Sequence, residues 1–328
     1  VSLVVFLEEL LGFDTPMSMD HGWGPKLTLY LSEDQYEKYH ALLDDYFANH
    51  LPFEVLGFPI NFGEPYADGG VMSLQESYPL HHGISITTVE KWFLEFLGVD
   101  ISQPIMPAIW LTIPQQRLAV LKAGRIFYDG LGQLDEIRQS FDWYPHDIWL
   151  YLLASQWKRI DQDEPFVGRT GMVGDELGSR LVATRLVKDL MLLVFLMEKT
   201  YAPYRKWFGS AFQRLELAPE ITKTLIDILN CDDWQSREKQ LGEAYLFFGE
   251  AHNGLGMTPV IKPALSNFHS RPFLVPHSAR FADALMAEIK DPDVQRLPPF
   301  LGGIDQLVDN TDLLENNVYC QKCRMLYQ

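Results

Sequence analysis

Residues 12–31 read GFDTPMSMDHGWGPKLTLYL. A Gly, a Thr, a Ser and an Asp precede Trp-Gly-Pro, and KLTLYL, residues 26–31, then alternates polar and apolar side chains as a half-buried strand does. A loop of this composition ahead of a strand suits an active site. Gly and Ser in a turn present backbone N–H groups and a hydroxyl to phosphate oxygens, and an Asp-x-Asp pair entering the strand puts both carboxylates on one face. With a third acidic residue from a neighbouring strand, such a pair grips magnesium for in-line attack on a nucleotide phosphorus. Here the loop brings one carboxylate, Asp20, to a place where metal chemistry uses two.

Outward from the strand, SEDQYEKYHALLDDYFANH has a Ser in the N-cap position and helical spacing, which predicts a strand followed by a helix. Residues 52–79 are rich in Gly and Pro and read as loops around short strands. GISITT then gives a second alternating strand, and Thr88 caps an amphipathic helix. From Pro114 the pattern changes to helical segments, most of them opened by Pro or an acidic residue: QQRLAVLKAG, QLDEIRQSFDW, PHDIWLYLLASQWKRI, the long stretch from Asp175 to Tyr201, and PEITKTLIDILN. The expected architecture is α+β. A small mixed-sheet domain over residues 1–108 precedes a larger helical bundle over 109–328 with an irregular C-terminal tail, and the cleft between them is the default ligand site.

Composition narrows the function. The chain has 328 residues, 47% of them hydrophobic, and a formal net charge of −17. That charge repels a polyanion, so nucleic acid is excluded as a partner, whereas a few local cations can still hold one small-molecule triphosphate. The longest apolar run, MLLVFLM, is far short of the roughly 20 residues a membrane span needs. VSLVVFLEELLGF lacks the basic region and cleavage site of a secretory signal, which makes a cytoplasmic address the expectation. Cys320 and Cys323 form a C-x-x-C with no second pair to complete a zinc site. The motifs of serine hydrolases, zincins, P-loop NTPases and dinucleotide-binding enzymes do not occur.

The stretch G-F-D-T-x-x-S-x-D-H-x-W-G-P resembles the signature of domain-of-unknown-function family 4037, nucleotidyltransferase-like proteins related to the DNA polymerase β superfamily and to antibiotic nucleotidyltransferases. Further matches are P-Q-Q-R-L at 114–118, G-R-I-F-Y-D-G at 124–130, W-Y-P-H-D-I-W-L-Y at 143–151 and F-V-G-R at 166–169. They continue with G-D-E-L-G-S-R at 174–180, Y-A-P-Y-R-K-W-F at 201–208 and G-I-D-Q-L-V-D-N-T-D at 303–312. The resemblance implies a nucleotidyltransferase fold in the first domain. It also implies three departures: Leu7 and Glu8 replace the Gly-Ser turn, Gly22 replaces the second carboxylate, and Ser85 stands where a third acidic residue belongs. Only Asp20 of the implied triad remains. The chain also starts at Val1 without the helix that the family pattern places ahead of the motif, so a truncated or mis-spliced product is one expectation, although that would not account for Gly22 or Ser85.

Two readings follow. In the first, the protein transfers a nucleoside monophosphate from a nucleoside triphosphate to a small-molecule hydroxyl through an impaired centre. Asp20 is then the catalytic residue and magnesium ligand, Thr15 and Ser18 touch phosphate, and Arg205 and Lys206, beside Tyr204, steady the leaving pyrophosphate. In the second, the fold is retained as an inactive nucleotide- or metabolite-binding pseudoenzyme that acts through a partner. Arg180, with Arg169, Asp175 and Arg185, reads either as ligand contact or as a solvated helix face shared with Lys188 and Asp189. Gln116 and Asp129 rank with them, Glu8, Glu9, Asp14 and Glu64 are substitutes for the lost carboxylates, and His252 with Asn253 reads more readily as structural.

Overall fold

The computed structural model describes residues 2–5, 11–13, 15, 24–65, 72–74 and 76–328. The chain forms two compact units: Val1–Ile105 with Arg117–Asp142, and Met106–Gln116 with Trp143–Gln328. The protein is α+β, with a mixed sheet in the first unit and a helical bundle in the second.

In the first unit four strands lie in the order Ile84–Thr87, Leu27–Tyr30, Ser2–Val5, Arg125–Asp129. The strand read from KLTLYL is Leu27–Tyr30, and it runs parallel to Ile84–Thr87 with Thr28 opposite Ser85 and Leu29 opposite Ile86. Parallel neighbours need a crossover, and the helix Glu33–His50 with two short hairpins supplies it. Gly83 lets the two chains converge: a Cβ there would sit 2.8 Å from the Pro25 carbonyl, and its own carbonyl accepts the Leu27 N–H at 3.0 Å. Ser2–Val5 is antiparallel to both Leu27–Tyr30 and Arg125–Asp129. Thr88 caps the helix Val89–Leu97 by accepting the Lys91 N–H, and Phe93 packs against Phe141 with ring centres 5.6 Å apart.

Sequence periodicity missed the strand Arg125–Asp129, which lies inside a region read as helical. Its residues alternate weakly in burial and carry a charge at each end, so no apolar period marks it. Its pairing with Ser2–Val5 places residues 117–142 in the first unit.

The second unit is organised around His146–Asp163, a helix buried on nearly every side. Against it pack Glu176–Met197 and Ala279–Glu288, and Ala218–Asn230 pairs with Trp234–Gly254. Trp157 stacks on Phe281 with ring centres 4.5 Å apart. Asp175 caps Glu176–Met197 by accepting the Gly178 N–H at 2.8 Å, as its position in sequence predicts. Gly171 is required where Phe166–Met172 meets Trp234, because a Cβ would strike the indole. The tail expected to be irregular is instead helical over Thr311–Glu315 and Asn317–Lys322 and ends in a 3-10 turn, Cys323–Tyr327. Asn310 and Asn316 cap its helices, and the Tyr327 hydroxyl donates to the Gly302 carbonyl at 2.8 Å. Cys320 is buried with its thiol directed at the Leu313 carbonyl, the bond of a packed helix. No helix among the described residues is long and apolar enough to cross a membrane.

Candidate functional site

Asp20, Ser18 and Gly22 lie outside the described residues, as do Glu8, Glu9 and Asp14, and so does the side chain of Glu64. Thr15 is exposed. Ser85 is exposed on the edge strand Ile84–Thr87, directly opposite Thr28, so the position that the resemblance assigns to a third carboxylate carries a hydroxyl beside a hydroxyl. Among the described residues no three His, Cys, Asp or Glu side chains converge as metal ligands. Asp20, the carboxylate that the resemblance assigns to magnesium, is not among those residues.

In the second unit the sequence motifs come together. The Gln115 N–H donates to Asp305 Oδ2 at 3.0 Å, and the Gln115 side-chain carbonyl accepts the Ala202 N–H at 2.9 Å. Gln116 Oε1 accepts the Tyr204 N–H, also at 2.9 Å. Tyr201 packs on Trp143 and Tyr144 with ring centres 4.7 and 5.2 Å away, and Tyr144 meets Trp110. P-Q-Q, W-Y-P, Y-A-P-Y and G-I-D-Q, far apart in sequence, thus build one polar-latched aromatic cluster. Burial pushes the Asp305 carboxyl up to about 6, partly opposed by the Gln115 N–H. Sequence reasoning quoted these motifs but singled out neither Gln115 nor Asp305. The signal was available: a Gln and an Asp set among apolar neighbours require partners when buried.

The cations around this cluster differ in what they touch. Arg205 opens the helix Arg205–Phe212, and its guanidinium donates to the Asp309 carbonyl at 3.0 Å and to Thr311 Oγ1 at 2.8 Å. Lys188 lies 3.8 Å from the Asp309 carboxylate. Lys206 is exposed, its ammonium 4.9 Å from the centre of the Trp207 ring, and no carboxylate among the described residues pairs with it. Arg180 belongs elsewhere. It bonds Glu176 and the Asp232 carbonyl near the start of Glu176–Met197, about 25 Å along the helix from the turn that leads to Arg205. Arg185 pairs with Asp163, and Arg169 lies over Phe166, so the four residues grouped by sequence form no common anion site. Asp189, read as part of a solvated face, is 1% exposed and holds Arg159 and Gln156, which in turn meet Gln306.

His252 and Asn253 are structural. The Trp157 indole N–H donates to His252 Nδ1 at 3.2 Å, which leaves Nε2 to carry the proton toward Thr258 Oγ1, and burial depresses the ring to about 4. Asn253 exchanges two hydrogen bonds with the Ile261 backbone. Asp129 accepts the N–H groups of Gly132, Leu134 and Asp135 and so fixes the turn into Leu134–Gln139. A further buried carboxyl, Glu164, was not anticipated: it accepts the Ser278 N–H at the start of Ala279–Glu288, and burial pushes it up to about 7.

A mixed-sheet unit and a helical unit latched by its own sequence motifs define an α+β protein with a polar cluster built from Gln115, Gln116, Tyr201 and Asp305. Residues 110–208 match the family described as a domain of unknown function, DUF4037, in agreement with the motifs quoted above. The match holds six of those motifs, from P-Q-Q-R-L to Y-A-P-Y-R-K-W-F, and leaves out the opening loop and G-I-D-Q-L. No curated protein and no solved structure shows significant similarity to the chain.

Proposed function

We propose that the protein is of nucleotidyltransferase type, that it binds a nucleoside triphosphate, and that its transfer of a nucleoside monophosphate to a small-molecule hydroxyl is impaired by orders of magnitude or lost. The observation that carries this reading is the parallel, in-register pairing of Thr28 with Ser85. It supports the placement of position 85 beside the opening strand, where a catalytic carboxylate is called for, and the residue there cannot bear the charge. Arg205 and Lys206 are the proposed phosphate contacts, because both present cations at the surface of the motif cluster. Asp20 remains as the proposed carboxylate of the weakened centre.

Calorimetric titration with ATP, GTP, CTP and UTP, with and without magnesium, tests the reading, together with transfer of label from the α-phosphate to a set of small alcohols. Binding of at least one nucleotide, weakened in Lys206→Ala and little changed by chelating magnesium, with no measurable transfer, is the expected result. Turnover at ordinary enzymatic rates, about 1 s⁻¹ or more, would reinstate the competent enzyme. Failure of all four nucleotides to bind would remove the nucleotide reading altogether.

A further inference from the structure

We propose that Lys188 and Arg205 form a triphosphate-binding pair whose anion place is filled, in this structure, by the chain's own residues 309–311. Three oxygens from this short stretch meet the two cations: the Asp309 carbonyl and Thr311 Oγ1 at Arg205, and the Asp309 carboxylate at Lys188. A backbone carbonyl, a hydroxyl and a carboxylate together offer acceptors and one negative charge, the features that a phosphate group offers in more concentrated form. The stretch acts as a strap over the pair.

Both cations are positioned by neighbours that are themselves fixed. Arg205 follows Tyr204, whose N–H is held by Gln116, and Lys188 precedes Asp189, which is anchored to Arg159 and Gln156. The strap is held more loosely. The Asp309 side chain is 84% exposed and that of Lys188 is 50% exposed, so their pairing adds little stability in water. The Asn310 cap closes on Leu313, inside the same segment, and therefore does not tie the strap to the cations. A triphosphate brings several charges to the pair, where the strap brings one. It displaces the strap at small cost, and the strap lowers the affinity of the resting protein.

The proposal rests on the reading that cations of the second unit take the phosphates, and the experiment separates the two. Calorimetry on the full chain, without magnesium, uses ATP and inorganic tripolyphosphate as probes. Asp309→Ala with Thr311→Val removes the carboxylate and the hydroxyl and leaves only the residue-309 carbonyl at Arg205; it is expected to bind both probes about tenfold more tightly than the parent, close to 1.4 kcal/mol. Adding Arg205→Ala to that double variant is expected to cancel the gain, as is adding Lys188→Ala. Asp309, Lys188 and Arg205 are exposed and Thr311 is half-buried, and circular dichroism checks that each variant folds. If parent and double variant bind equally, the strap is overturned while triphosphate binding stands. A gain that survives Arg205→Ala, or that occurs with ATP and not with tripolyphosphate, also overturns it. If neither protein binds either probe, this proposal falls together with the nucleotide reading.

Discussion

At position 85 a serine hydroxyl faces solvent on an edge strand, so a carboxylate can be placed there at little cost to folding. If positions 20, 22 and 85 converge as proposed, Gly22→Asp with Ser85→Glu recreates three carboxylates whose mutual repulsion lowers stability until a cation binds the folded form. The double variant is expected to melt below the parent without magnesium and to recover with it. A melting temperature indifferent to magnesium would show that the three positions do not converge.

Glu164 gives a second test at the same scale. Its folded-state carboxyl is raised above the unfolded value, so its contribution to stability is complete below about pH 4.5 and is lost as pH rises toward about 7. Glu164→Gln keeps an oxygen for the Ser278 N–H and removes the titration. It is expected to be more stable than the parent at pH 8, by up to about 3 kcal/mol, with the difference vanishing near pH 4. The depressed His252 acts in the opposite sense, losing stability as pH falls from about 6.5 toward 4, and the comparison of parent with variant cancels it. The buried carboxylates were not legible along the chain. Asp189 and Glu164 look like ordinary helix-surface charges in sequence, and only a second helix, bearing Arg159 in one case and Ser278 in the other, turns them inward.

Among elements, the local signals that worked were those whose chemistry is complete within a few residues. Thr88 and Asp175 each close a cap on an N–H three residues ahead, and both helix starts could be read directly. Leu27–Tyr30 and Ile84–Thr87 showed their alternation. Arg125–Asp129 did not, because its partner is a strand more than a hundred residues earlier, and the C-terminal helices did not because they are short and depend on packing.

Gly171→Ala probes one such contact. The added methyl must displace the Trp234 ring from Phe166–Met172, which predicts a loss of about 1–3 kcal/mol in denaturant unfolding. Arg159→Met probes another. It leaves the buried Asp189 with Gln156 alone and is expected to cost about 3 kcal/mol, whereas replacing Lys223, which pairs with Asp227 on an exposed face, should change stability by less than about 0.5 kcal/mol. Equal effects from the two would refute the view that burial decides the worth of these pairs.

On the scale of the whole molecule, the second unit draws Met106–Gln116 from the far side of a segment that belongs to the first. A fragment of residues 143–328 therefore lacks Trp110 against Tyr144 and both bonds of Gln115. It is expected to be less cooperative in thermal unfolding than residues 106–328, and equal transitions would show that these contacts contribute nothing. Sequence placed the change from sheet to helix near residue 108 because periodicity reports local spacing, while membership of a unit depends on partners far along the chain.

The bond from the Gln115 N–H to Asp305 spans 190 positions. A ribosome adding about 5–20 residues each second needs on the order of ten to forty seconds to cover that interval. Throughout it the nascent P-Q-Q segment has been made and its acceptor has not. Synthesis from the first codon onward thus imposes a waiting time on this cluster that refolding of a finished chain does not. Until Asp305 is made, the aromatic surface of Trp110, Trp143 and Tyr144 lacks that latch and stays open to a chaperone.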